Sequence, residues 1–216
     1  IDFQIEQFAH FSDDYEFPIL FVLGNHDIFS FEWGGDRVIA NQFKTGRARA
    51  TWIRNFDCFR DGTYYSRVYN LGETTYRLIF LDNSFYQFPD EETVVIPYID
   101  KPQLHWLRTE LNESEDDIEI ILMHIPLTEQ SVLTEASNEL YSELKQIPSV
   151  KLILSGHRHR NAIRQFPGNS DSEIIQVETD ALVKTPENWR LIRLTEKNIL
   201  VSFTGSTDNE LIMPIN

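Results

Sequence analysis

The 216 residues suit one domain with a sizeable core, and 41% hydrophobic against 25% charged residues excludes a disordered chain. The 34 acidic and 19 basic residues leave a net charge of -15, which repels polyanions and argues against unaided, sequence-independent binding of DNA or RNA. No apolar run is long enough to cross a bilayer, and Ile1-Asp2-Phe3-Gln4 is not a signal peptide. Cys58 is the only cysteine, so there is no disulfide framework or thiolate cluster, which fits a reducing, cytoplasmic compartment.

In chain order, Phe3, Ile5, Phe8, Ala9 and Phe11 form a rough helical stripe broken by Ser12-Asp13-Asp14. The apolar run 19–23 reads as a buried strand ending in Gly24-Asn25-His26-Asp27. Residues 28–62 carry mixed signals, punctuated by Gly34-Gly35 and Gly46, with short helices expected at 38–43 and 48–56. Strands are expected at 64–69 and 75–81 around the turn 70–73, then a helix at 103–111 on Leu104, Leu107 and Leu111. A strand at 118–123 ends in His124, and a helix at 135–146 is closed by Pro148. A strand at 150–155 ends in Gly156-His157-Arg158-His159, and 161–166, 173–178, 189–195 and 199–204 read as further strands. Many strands with few helices predict two packed sheets with helices on the outer faces.

Three expected strand ends thus deliver Asn25, His26, His124, His157 and His159. In open α/β sheets chemistry collects beyond the carboxyl ends of the strands. Imidazole nitrogen with amide oxygen suits zinc, iron and manganese. The pair His157 and His159, two apart after a glycine that permits a sharp turn, can send its rings toward adjacent ions. His26, beside Asn25, would sit over the metals without binding one, where a protonated imidazole can neutralise a leaving alkoxide. Each piece alone has a plainer explanation: a lone histidine after a strand is more often a satisfied polar residue. Their joint occurrence in this order favours a site. His10 and His105 fall in expected helices and read as ordinary surface residues.

At these residues the sequence resembles the calcineurin-like metallophosphoesterases. Their pattern runs Asp-x-His, Gly-Asp-x-x-Asp, Gly-Asn-His-Asp/Glu, a lone His, and Gly-His-x-His. The last three blocks stand at Gly24 to Asp27, His124 and Gly156 to His159. The stretches 62–66, 79–83 and 103–107 look like the small phosphohydrolase and cyclic-nucleotide phosphodiesterase branch. The resemblance implies an α/β fold, a four-layer αββα sandwich of two mixed sheets with outer helices. It implies two divalent metal ions (manganese, iron or zinc), with Asn25, His124 and His157 on the second and His159 on the first. It implies His26 as the acid near the leaving group, and in-line attack on a small phosphoester, a diester or monoester, by a metal-bridging hydroxide.

The front of the pattern departs from the family, since neither Asp-x-His nor a complete Gly-Asp-x-x-Asp is present. The expectation is a single domain over 1–216 that begins inside the second block and lacks the first strand and the first two metal motifs. Asp2 would then be the trailing aspartate that orients the acid histidine. A metal-binding tyrosine stands there in purple acid phosphatases, so Asp2 argues against that branch. Four neutral donors without a carboxylate predict that the chain alone is nearly inactive. Trp33, Arg37, Lys44, Arg47 and Arg49 fall where the family places substrate-facing loops, and Arg158 and Arg160 flank His159. The competing expectation is a non-catalytic scaffold of the same fold that docks a protein partner.

Overall fold

The computed structural model describes residues 2–34, 37–41, 43–87, 96–114, 116–127, 135–169, 172–184, 188–203 and 210–215. In order these form α1 (Asp2–Ser12), α2 (Asn25–Ile28), β1 (Ser30–Gly34), β2 (Arg37–Asn41), α3 (Thr45–Asn55), a 3-10 turn (Asp57–Phe59), β3 (Tyr65–Leu71) and β4 (Thr74–Leu81). There follow β5 (Phe85–Gln87), β6 (Ile96–Tyr98), α4 (Lys101–Glu113), β7 (Ile118–Met123), α5 (Glu135–Leu144) and β8 (Val150–Ser155). The chain closes with β9 (Ala162–Pro167), β10 (Glu173–Glu178), β11 (Arg190–Leu194), β12 (Asn198–Phe203) and β13 (Glu210–Pro214).

A six-stranded sheet in the order β3-β4-β7-β8-β10-β9 organises the molecule. Strands β4, β7, β8 and β10 are mutually parallel, with β3 and β9 antiparallel at the two edges. Because side chains alternate across a strand, the two faces bury different sets. Ile79, Leu81, Ile121, Met123 and Ile153 meet Leu104, Leu107 and Leu111 of α4 and Leu140, Tyr141 and Leu144 of α5. Tyr76, Ile120, Leu152 and Val177 face the other way and pack on Ile199, Val201 and Met213 of the sheet β11-β12-β13. Each such aliphatic side chain contributes about 1.5–3 kcal/mol by leaving water. Helix α4 begins where the Asp100 carboxylate accepts the Gln103 N–H at 2.9 Å, with Pro102 in the first turn, where its missing N–H costs no bond. The architecture is the expected pair of packed sheets with outer helices, although the second sheet is antiparallel throughout rather than mixed.

Two local expectations are corrected. Residues 19–23 form no strand: among the described residues they pair with no ladder. Side chains take up this backbone instead. Tyr65 Oη accepts the Phe21 N–H at 2.9 Å and donates to the Phe21 carbonyl at 2.8 Å, and Ser84 Oγ donates to the Leu23 carbonyl at 2.6 Å. Apolar side chains hold the rest, as Phe21 packs edge-on to Phe56 with centroids 4.7 Å apart, and Leu23 is buried. The second correction is 38–43, where the short helix is replaced by β2, paired antiparallel with β1 so that Gly34 faces Arg37. The Gly35-Asp36 dipeptide between two short runs is a hairpin signal, and the β-branched Val38 and Ile39 favour a strand. Strands β1, β5, β6 and β13 were not anticipated. Thr204, at the end of the expected strand 199–204, lies outside the described residues.

Candidate metal centre

The parallel strands β4, β7 and β8 run in register, so their carboxyl ends share one edge and hand over Asp82, His124 and Gly156-His157. The fourth contribution comes from the Gly24-Asn25-His26-Asp27 turn. Gly24 caps the single turn α2, and the Asp27 carboxylate folds back to accept the Gly24 N–H at 2.7 Å. This explains the acidic residue of the motif as a turn-former. A Cβ on Gly24 would meet the His124 ring at 3.0 Å, so glycine lets the turn lie against that imidazole. Burial pushes the Asp27 carboxyl pKa up, as does nearby Asp82, against the Gly24 N–H and His26.

Three of the four expected ligands converge. Asn25 Oδ1 lies 2.9 Å from His124 Nε2, and His157 Nδ1 lies 3.3 Å from the same nitrogen. Two donors on one ion at bond lengths of about 2.0–2.2 Å stand about 2.8–3.6 Å apart at octahedral or tetrahedral angles. The spacing and the N/O chemistry of this donor set therefore fit a divalent ion. Burial lowers the His124 pKa to about 4, reinforced by His157, His26 and His159, so its ring is neutral at pH 7 with a lone pair to offer. His157 is shifted down by burial and then by Arg158, His159 and His26. Among the described residues no three His, Cys, Asp or Glu side chains form a metal-binding group, because the third donor here is the Asn25 amide.

His159 and His26 stand apart from this trio, within electrostatic reach of both half-buried rings. His159 is exposed, and its carbonyl accepts Lys184 Nζ at 2.6 Å. His26 is exposed on α2 with its ring 4.2 Å from that of Phe31, centroid to centroid. Asp2 pairs with Arg47 and accepts Thr51 Oγ1 at 3.3 Å. Among the other residues expected to face substrate, Arg49 Nε donates to the buried Asp82 at 3.2 Å, and Lys44 caps α3 at the surface. Arg158 and Arg160 both reach Glu178. The side chains of Trp33 and Arg37 lie outside the described residues.

Sequence reasoning missed the groups that hold the site's loops. Three buried carboxamides each bind both the N–H and the C=O of one residue in a segment leaving a strand. Asn83 clamps Ile125 at 3.0 and 2.6 Å, one residue beyond His124. Gln103 clamps Asp82 at 2.8 and 2.8 Å, and Gln176 clamps Leu127 at 2.8 and 3.1 Å. The available signal was Leu81-Asp82-Asn83, an apolar run ending in polar groups on the same plan as the other strand ends.

Two packed sheets with a histidine and amide cluster at the carboxyl edge define an α/β protein with a candidate metal centre, and comparison with known families agrees. The calcineurin-like phosphoesterase model matches residues 1–161, and the chain belongs to this family of metal-dependent phosphoesterases. Among solved structures, the chain is similar to a dimetal phosphatase from Danio rerio, with 14% identity over 78% of this chain and 68% of that one and a TM-score of 0.59. At that identity the likeness is one of fold. A comparison with curated proteins found no match. Among the described residues no helix is long and apolar enough to cross a membrane.

Proposed function

We propose that the chain is a single domain that hydrolyses the phosphoester bond of a small diester or monoester with two divalent metal ions. The observation that carries this reading is the convergence of Asn25 Oδ1, His124 Nε2 and His157 Nδ1 within 2.9 and 3.3 Å in a member of the calcineurin-like family. Asn25, His124 and His157 would hold one ion and His159 the other. Bound manganese, iron or zinc would polarise the phosphoryl group and lower the pKa of water. The protein's own part is to keep His124 neutral by burial, to present Asn25 from a rigid turn, and to hold the His26 imidazole at the surface, from where it gives a proton to the leaving oxygen. The -15 charge favours a compact phosphoester over a nucleic acid, since only local groups can attract the substrate.

One observation favours the second reading, a non-catalytic scaffold: among the described residues no carboxylate bonds to Asn25, His124 or His157. Neutral donors alone compensate little of a dication's charge, so this chain by itself is expected to bind manganese weakly and turn over slowly. The test is bis(4-nitrophenyl) phosphate hydrolysis by the 216-residue chain and its His157→Ala variant, with manganese and then with chelator. Slow, chelator-sensitive turnover that His157→Ala removes supports the enzyme. Manganese binding without any metal-dependent turnover favours the scaffold.

A further inference from the structure

Strand β10 ends in a carboxylate that the proposed reaction does not use. Glu178 has no exposed surface, yet three guanidiniums reach it. Arg164 Nε stands 2.9 Å and Arg158 Nη1 3.9 Å from Oε1, and Arg160 Nε stands 3.2 Å from Oε2. In the ladder Glu178 pairs with Ser155 of β8 on one side and Ala162 of β9 on the other, so it lies between the two ends of the loop 156–161. Histidine and arginine alternate in that loop. His157 and His159 adopt φ of 68° and 49°, a left-handed region that a residue with a Cβ occupies only when its surroundings enforce it. The enforcing contacts are the Arg158 N–H on the Gly156 carbonyl at 2.8 Å, Lys184 on the His159 carbonyl, and the two arginine tethers to Glu178.

We propose that Glu178 is a positioning residue that, through Arg158 and Arg160, holds the loop in the conformation presenting His157 and His159 to metal. This rests on the reading that His157, with Asn25 and His124, binds a divalent ion. With the tethers intact, His157 Nδ1 waits 3.3 Å from His124 Nε2 and the ion meets a preassembled pair. With them cut, the left-handed residues relax and the ion has to reorder the loop as it binds. The loss of such an outer support typically weakens metal affinity roughly 10–100-fold.

Arg158 and Arg160 are cations beside a cation site, so their removal should tighten metal binding if charge alone mattered. The test variant is Arg158→Met/Arg160→Met, which cuts both loop tethers and leaves Arg164 on Glu178, so the buried carboxylate keeps a counter-charge. Calorimetric titration with Mn2+ is expected to show affinity roughly 10–100-fold weaker, with a melting temperature close to wild type. Hydrogen exchange of the loop amides in the metal-free protein is expected to quicken. Arg164→Met, outside the loop, is expected to keep wild-type Mn2+ affinity even where it lowers the melting temperature. Unchanged or tighter binding by the double variant overturns the positioning role, as does an equal loss in Arg164→Met. His157→Ala separates the two levels. If it leaves Mn2+ affinity intact, the metal reading fails and the positioning role with it. If it abolishes binding while the double variant retains it, only the positioning role fails.

Discussion

His26 differs from the half-buried rings of His124 and His157 because it stays at the surface, backed by Phe31 at 4.2 Å. Asn25, immediately before it, is buried against His124, so two consecutive positions of one helical turn place a metal-type donor inside and an imidazole at the surface. A general acid is worth most when the leaving group is basic, with contributions of roughly 10²–10⁴-fold. In metal-loaded protein, His26→Ala is therefore expected to slow hydrolysis of an alkyl phosphoester far more than that of a nitrophenyl ester, with manganese content unchanged. Steady-state rates on the two esters, alongside metal analysis, check this. Equal losses on both would assign His26 to the fold or the metal instead.

At the scale of elements, legibility followed burial. The strands β7, β8 and β10 are legible because they are internal to the sheet and rich in Ile, Leu and Val, and His124 and Gly156-His157 come off two of them. The run 19–23 looked the same in sequence but finds its partners in Tyr65 and Ser84, and an apolar run cannot announce whether a neighbouring strand exists. The roles of Glu178, Asn83 and Gln176 were hidden for a related reason: what makes them important is distant residues folding onto them, and no local pattern encodes that. Glu119 belongs with them. It is fully buried at the start of β7, with Ser114 Oγ donating to Oε1 at 2.5 Å. Burial pushes its pKa up from the ordinary glutamate value, against the hydrogen bonds of Ser114 and Ser149. The folded state thus keeps its proton to higher pH than the unfolded chain does. The group's contribution is full below the unfolded pKa and is lost as pH rises through the raised folded value. Glu119→Gln cannot ionise, so its melting temperature is expected to match wild type near pH 4 and to exceed it at pH 8. Thermal melts followed by circular dichroism across this range decide the matter, and a gap that does not widen with pH would contradict it.

The whole molecule is strongly acidic, yet five cationic side chains collect where the chain leaves β8 and β10: Arg158, Arg160, Arg164, Lys184 and Arg190. Glu178 and Asp180 offset part of this charge, and the remaining positive excess can draw a small anion to that corner of an otherwise acidic protein. The same topology carries a consequence in time. Asn25 and His124 are 99 residues apart, and His124 and His157 are 33 apart at the ends of the parallel strands β7 and β8, whose crossover must close first. Such non-local pairings are late and slow, because the entropy of closing each loop is lost before any contact repays it. Helices α4 and α5 are built from local contacts, whereas the donor trio exists only once β7 and β8 are paired and the Asn25 turn is docked on them. On refolding from urea, helical ellipticity is therefore expected to recover ahead of the capacity to take up manganese, which should appear with the slowest phase. Stopped-flow ellipticity set against manganese uptake at matched delays measures the order, and uptake during the earliest phase would show the trio assembling before its sheet. A protein of this topology passes through its early folding with its chemistry unassembled, and no ion can serve as its nucleus.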